Sequence, residues 1–390
     1  MMEEFLRNHI YATHAIAGAG SAAFATALAY PLDTLKVLIQ VGSASGKQLT
    51  ATQALYRLYT LSGISGKFIL IMPIAFGLYS GLGLATAGRI LGIGTRFGVY
   101  ELLTAFYKDG REDNYVYVSE ALLAGIAAGS LEPLVSSPFE ISKLRAQVAA
   151  ASRMSGYSSF LEKQSASSVT AKLLPKYAPG KMAWDHSVDL LSTLGSKHPN
   201  LHGALQEYPW MMTGSGKPPS LCDVRNAADI ISLEGWGTLW RGIRSGVVRD
   251  SVFGGIFFSC WQFLHRAMLD WKAVGMDPIP STDEEVGPLP PLATCLAAGF
   301  SASVAAVASH SFDTARSRSQ CTVIPRHVSM ERRLLKWKLP GKRFERLTGI
   351  HPSDRNLLFR GIQYRMARSG LASFMIVGGY YLAVDHLLVR

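Results

Sequence analysis

Pro31-Leu32-Asp33-Thr34-Leu35-Lys36, followed by Gln40, is the first of three matched stretches in this 390-residue chain. The second is Pro138-Phe139-Glu140-Ile141-Ser142-Lys143 with Gln147, and the third is Ser311-Phe312-Asp313-Thr314-Ala315-Arg316 with Gln320. Each copy has a helix-bending residue, an acid two places on, a base five places on and a glutamine nine places on, after a run rich in Ala, Gly and Val. An acid and a base three residues apart share one helix face, so three such helices can close a pore with a ring of ion pairs. Solvated charges at helix ends account for one copy, but poorly for three in matched register. Proline inside a helix removes a backbone donor and clashes with the preceding turn, which predicts kinks at Pro31 and Pro138. Ser311 takes the third position; its hydroxyl can bond back to a carbonyl one turn earlier, which predicts a gentler bend there.

Working outward, 390 residues would accommodate two soluble domains, but the threefold pattern argues for one body over 1–390. Its units are about 10–110, 115–272 and 288–390. The hydrophobic fraction is 48%, the charged fraction 17% and the mean hydropathy only +0.16. Helices that line a watery cavity and show lipid a single apolar stripe have that balance. Net charge is +11. The bases are dispersed and accompany no recognised nucleic-acid motif, so attraction to anionic lipids and solutes explains the excess better. Cys222, Cys260, Cys295 and Cys321 show neither disulfide nor metal spacing. No nucleophile–base pair or cofactor loop appears, and His14, His186, His198 and His310 form no cluster, so neither an enzyme nor a metal site is expected. The Met1-Met2-Glu3-Glu4-Phe5 start lacks the features of a secretory signal or transit peptide.

Apolar segments near 12–41, 68–107, 116–148, 238–269, 290–321 and 358–389 are each long enough to cross a bilayer, which takes about 20 residues. The first, third and fifth carry the repeat, and small residues precede each bend: Gly18 and Ala22, Gly125 and Gly129, Ala298 and Ala302. A second repeat opens the even-numbered segments: Leu78-Tyr79-Ser80-Gly81, Leu239-Trp240-Arg241-Gly242 and Leu358-Phe359-Arg360-Gly361. Tyr79 follows Pro31 by 48 positions and Phe359 follows Ser311 by the same 48, whereas Trp240 follows Pro138 by 102. The middle unit therefore carries a polar insertion, mostly within 149–219. Gly214-Ser215-Gly216-Lys217 inside it lacks the first glycine and the final Ser or Thr of a phosphate loop and reads as an ordinary loop. A polar stretch from Asp277 to Pro291 links the fourth and fifth segments.

These motifs resemble the mitochondrial carrier family from end to end. The resemblance implies an all-α membrane protein of six transmembrane helices in three pseudo-symmetric pairs, with short matrix helices. It implies a matrix gate in which Asp33 pairs with Lys143, Glu140 with Arg316 and Asp313 with Lys36, braced by Gln40, Gln147 and Gln320. It also implies structural cardiolipin at the starts of the even helices, at Gly81, Trp240, Arg241, Gly242, Phe359, Arg360 and Gly361. Interfacial anchoring by the same aromatic and basic residues is compatible with that. Plastid and peroxisomal membranes are alternatives to the inner mitochondrial membrane, and a monomer is the implied state.

In the family the substrate touches the even helices near mid-membrane. Arg249-Asp250-Ser251-Val252-Phe253 resembles the family's Arg-Asp-x-Pro-Phe, with Val252 replacing proline. Arg365 and Arg368 fall on the family's paired basic positions of the last helix. Around Arg96-Phe97-Gly98-Val99-Tyr100-Glu101, which resembles tricarboxylate carriers, the usual contact falls on Gly88, one place before Arg89. Arg249, Asp250, Arg368, Arg89 and Arg96 are thus the candidate substrate contacts. Charge at membrane depth needs water, a partner or a ligand. Arg249 beside Asp250 suits an amino-acid-related or zwitterionic solute, carried by alternating access; a carboxylate or nucleotide is the alternative, and in a third reading Asp250 only neutralises Arg249. The cytoplasmic gate lacks its bases: Glu101 is followed by Thr104, Trp261-Gln262 by His265, and Tyr380-Tyr381 by Val384. That leaves room for uniport, or for a structural or assembly protein of carrier fold.

Overall fold

Pro31 and Pro138 both lie inside unbroken helices. A computed structural model describes residues 10–42, 50–54, 78–109, 111, 115–152, 226–276, 280, 283–323, 348 and 352–388. The polar insertion lies almost wholly outside the described residues, together with Gly214, Lys217 and Cys222. Among the described residues every regular element is a helix. In chain order these are α1 (Ile10–Gly42), α2 (Leu82–Lys108), α3 (Val118–Ser152), α4 (Ala227–Glu234), α5 (Ile243–Val274), α6 (Asp283–Val286), α7 (Pro291–Ala308), α8 (His310–Cys321) and α9 (Ile362–Leu388). Short 3-10 turns, Trp236–Trp240 and Pro352–Phe359, lead into α5 and α9.

The long helices form a closed ring. α1 packs on α2, α2 on α3, α3 on α5, α5 on α7 and α7 on α9, and α9 returns to α1. Charge lies inside and apolar surface outside, the reverse of a protein folded in water. Asp33, Lys36, Asp250, Asp313 and Arg316 are buried, while Phe24, Leu123 and Phe300 are each close to 60% exposed. Exposed apolar faces on this scale require lipid or a partner. By length and composition α1, α3 and α7 each contain a span able to cross a membrane. The even helices α2, α5 and α9 have 27, 32 and 27 residues, and their inward arginines dilute the hydropathy.

Small residues set the tightest seam. A Cβ on Gly129 would collide with the Asp250 carbonyl, and one on Gly125 with the carbonyl of Gly254. The α3 and α5 backbones therefore touch directly, as small residues allow in lipid. Farther along the seam Ala124 and Ala128 pack with Phe253, Phe257 and Phe258, and with Ala302, Ala305 and Ala306 of α7.

The third bend corrects the sequence expectation. The helix is interrupted two residues before Ser311, where Ser309 (φ −94, ψ 7) separates α7 from α8. Ser309 Oγ donates to the Ala305 carbonyl at 2.8 Å. Ser309 rather than Ser311 thus makes the serine back-bond, and it accompanies a break rather than a softened kink.

Candidate substrate cavity and gate

At one end of the ring, α1, α3 and α8 converge on their acids and bases. Lys143 is ion-paired with Asp33, Arg316 Nη2 lies 2.8 Å from Glu140 Oε2, and Lys36 Nζ lies 3.0 Å from Asp313 Oδ2. Gln40 Nε2 donates to Asp313 Oδ2 and to Thr314 Oγ1, both at 3.1 Å. Gln147 Nε2 donates to Asp33 Oδ2 at 3.4 Å and to Thr34 Oγ1 at 3.1 Å.

Gln320 departs from this scheme. Its amide donates to the Arg241 carbonyl at 3.4 Å and does not reach Glu140. The cause is legible in the repeat: the residue after the acid is Thr34 or Thr314 in two copies and Ile141 in the other. Each threonine hydroxyl also donates to an incoming carbonyl, Leu78 at 2.7 Å and Leu358 at 2.9 Å. Ile141 has no hydroxyl and packs instead with Ile230, Leu239 and Val323.

The even helices add a second set of cations to the ring. Arg249 grips Asp250 through Nε and Nη2, each at 2.8 Å, and reaches Glu140 Oε1 at 3.0 Å and Asp313 Oδ1 at 3.2 Å. Arg368 Nε lies 3.0 Å from Asp33 Oδ1, and Arg365 Nε lies 3.7 Å from Asp313 Oδ2. Every acid of the ring is therefore shared between an odd-helix base and an even-helix arginine. Asp250 is not the open acceptor that a substrate ammonium needs. Beyond the Arg249 fork, its Oδ2 is 3.3 Å from Arg316 and its Oδ1 is 4.0 Å from Arg96.

Above the ring these groups line a cavity that is partly open to solvent and includes all five candidate contacts. Arg89 lines it without an ion pair to any described residue. Its displacement from the usual position has a steric cause. A Cβ on Gly88 would come within 2.6 Å of Phe139 Cβ, so position 88 stays glycine and the base moves on by one. Arg96 is ion-paired with Glu132, a buried acid of α3 that the motif reading missed.

The starts of the even helices share one device. Gly81, Gly242 and Gly361 have φ of 83, 80 and 79, a left-handed turn that L side chains rarely adopt. Around it Trp240 and Phe359 remain partly exposed. Arg241 turns inward and is not offered to a lipid phosphate: it pairs with Glu234, which also holds the fully buried Arg145. The Arg360 carbonyl accepts from His310 Nε2 at 3.0 Å. At the opposite end of the cavity, Glu101 is exposed and makes no ion pair with any described residue. Thr104, in the place of a base, turns its hydroxyl onto its own helix at Tyr100.

Comparison with known proteins places this geometry. Residues 8–111 match the family model described as mitochondrial carrier protein. A 137-residue stretch is 33% identical to mitochondrial citrate transporter C of Aspergillus niger, covering 35% of this chain and 40% of that one. Over 132 residues the chain is 32% identical to mitochondrial brown fat uncoupling protein 1 of Bos taurus, covering 33% and 40%. Over 139 residues it is 28% identical to dicarboxylate carrier UCP2 of Danio rerio, covering 35% and 43%. The chain thus spans about two fifths of the length of the curated relatives it matches. Over residues 8–111 the chain is thus similar to the mitochondrial carrier family, and the threefold acid–base ring and the closed circle of helices extend that likeness across the described residues.

Proposed function

We propose that this protein carries carboxylate anions across the inner mitochondrial membrane by alternating access. The observation that carries the reading is the charge balance of the cavity. Among the described residues, seven bases and five acids line it, Arg316 adds an eighth base by pairing with the lining acids Glu140 and Asp250, and Arg89 has no ion pair with any described residue. A zwitterion would need an open acid for its ammonium group, and both oxygens of Asp250 are held by arginines. Names among the matched relatives point the same way, to citrate and to dicarboxylate.

Coupling of binding to opening follows from Arg249. It bonds Glu140 on α3 and Asp313 on α8 together. A substrate carboxylate that claims its guanidinium fork withdraws one cation from two gate acids at once. A ligand shifts such an equilibrium only by its differential affinity for the two states, and an anion competing for the gate's own arginines has that difference built in. Cardiolipin at the three left-handed glycine turns would hold the even-helix starts, with Trp240 and Phe359 at the lipid boundary. The test is purified protein in cardiolipin liposomes, offered citrate, malate, neutral amino acids and nucleotides. Uptake of citrate or malate supports the reading. Uptake of amino acids alone restores the zwitterion, and uptake of nothing favours a non-transporting member of the fold, which Glu101, without an ion pair to any described residue, would suit.

A further inference from the structure

Aligned by sequence on their bends, the three repeats leave the Arg96–Glu132 ion pair without a counterpart. Glu132 stands six places before Pro138, and the residues six places before Pro31 and Ser311 are Ala25 and Ala305, both fully buried. Its partner Arg96 follows the aromatic of its helix start, Tyr79, by seventeen places; the matching positions after Trp240 and Phe359 are Phe257 and Ile376. An ion pair has thus been inserted, on both sides, into positions that are apolar elsewhere in the threefold plan.

The pair lies apart from the ring that closes the gate. α3 is flanked here by α2 and α5. From α2, Arg96 and Arg89 face Glu132, and from α5, Asp250 and Arg249 do so. α1 and α8 meet α3 at the ring itself, through Asp33–Lys143 and Glu140–Arg316. Glu132 Oε1 also sits against α2, 3.1 Å from where a Cβ on Gly92 would lie. Of the facing cations, Arg249 is committed to Asp250, Glu140 and Asp313. Arg89 makes no ion pair with Glu132, so Arg96 is the only cation in ion-pair contact with it among the described residues.

We propose that Glu132 is a proton-binding site, and that the protein carries one proton with each anion that takes hold of Arg96. This rests on the carboxylate reading above and deepens it. When a substrate carboxylate engages Arg96, Glu132 is left as a buried carboxylate beside the anionic Asp250. A buried charge without a partner neutralises instead of remaining ionised. The proton comes from water on the open side of the cavity and binds a Glu132 carboxylate oxygen, giving the neutral acid. After the opposite side opens and the anion leaves, Arg96 returns to Glu132 and the proton departs to that side. One anion and one proton move together, with no change in the protein.

The experiment uses the full chain in liposomes with the membrane potential clamped, labelled malate as the probe, and entrapped pyranine to report internal pH. Steady-state malate accumulation should rise about tenfold for each unit by which the outside is more acidic, as a one-proton linkage requires. Malate addition should acidify the lumen. Glu132→Gln should lose both signals whatever its uptake rate, and Glu132→Asp should keep them. Wild-type accumulation that ignores the pH gradient, or a Glu132→Gln variant that responds as the wild type does, overturns the proposal while leaving the carboxylate reading standing. No uptake of malate or citrate under any gradient overturns both. A wild-type pyranine trace that shows no acidification on malate uptake overturns the proposal even if the variants fail to fold.

Discussion

Removing an acid from the gate should damage this protein more than removing the base that faces it. Asp33 is 3% exposed in its side chain and is held by Lys143, by Arg368 at 3.0 Å and by Lys36 at 3.7 Å. Asp33→Asn strands Lys143 and Arg368 at membrane depth, while Lys36 keeps Asp313, and breaking a buried pair from one side costs about 3–5 kcal/mol. Lys143→Gln leaves Asp33 with two cations and can keep a hydrogen bond. The Lys143 side chain is also 15% exposed, so water reaches part of it. Its loss should cost what a hydrogen bond to a charged group is worth, about 1.5–3 kcal/mol. The double variant should recover about 0.5–3 kcal/mol relative to the sum of the singles, the coupling seen between residues in contact. Thermal unfolding of purified protein in detergent, scanned at one rate for all four forms, reads the order. If Lys143→Gln is destabilised as much as Asp33→Asn, the second layer of arginines does not hold the gate acids. If the double variant equals the sum, Asp33 and Lys143 do not pair.

Three further outcomes follow from the geometry. Arg89→Gln should leave the thermal midpoint unchanged, because Arg89 has no ion pair with any described residue to lose, but should weaken carboxylate binding by about 1.5–3 kcal/mol, read as a rise of at least tenfold in the half-saturating malate concentration. Gly129→Ala forces a methyl onto the Asp250 carbonyl and should destabilise by about 1–3 kcal/mol, whereas Gly94→Ala, with open space around it, should not; equal midpoints would dissolve the α3–α5 seam. Cardiolipin at a hundredfold excess over its dissociation constant should stabilise the folded protein by about 2.7 kcal/mol, and an equal shift with a zwitterionic lipid would count against the glycine-turn sites.

What the sequence made legible was periodic. The acids and bases of the ring stand at fixed offsets from three bends, and the even-helix starts stand at fixed offsets from the same bends, so one repeat explains the others. Contacts that cross the repeat without belonging to it were hidden. Arg241 looks like an interfacial cation until Glu234 is placed beside it by the turn at Gly235, whose φ is 89. Asp250 looks available to a substrate until Arg316 arrives from α8, a contact between residues 66 positions apart. Ser309 and Ser311 are both able to back-bond, and the local sequence does not say which of them interrupts the helix.

The departures from threefold symmetry gather in one place. Ile141 removes a hydroxyl from the second copy and frees Gln320 from the gate. The brace is therefore weakest at the Glu140–Arg316 link, and Arg249 reaches Glu140 at that link. Glu132 and Arg96 add their pair one step above it on α3, and the Gly129 seam binds α3 to α5 at Asp250. A uniform gate would resist opening equally on all three sides. Here one side trades a glutamine brace for an arginine that also lines the cavity, so an anion in the cavity acts on the side least secured without it. Under the carrier reading, opening begins at the α3–α8 contact. Ile141→Thr, which returns a hydroxyl for Gln320 to bond, should then stabilise the closed state and slow malate uptake, and faster uptake with an unchanged thermal midpoint would refute that order of events.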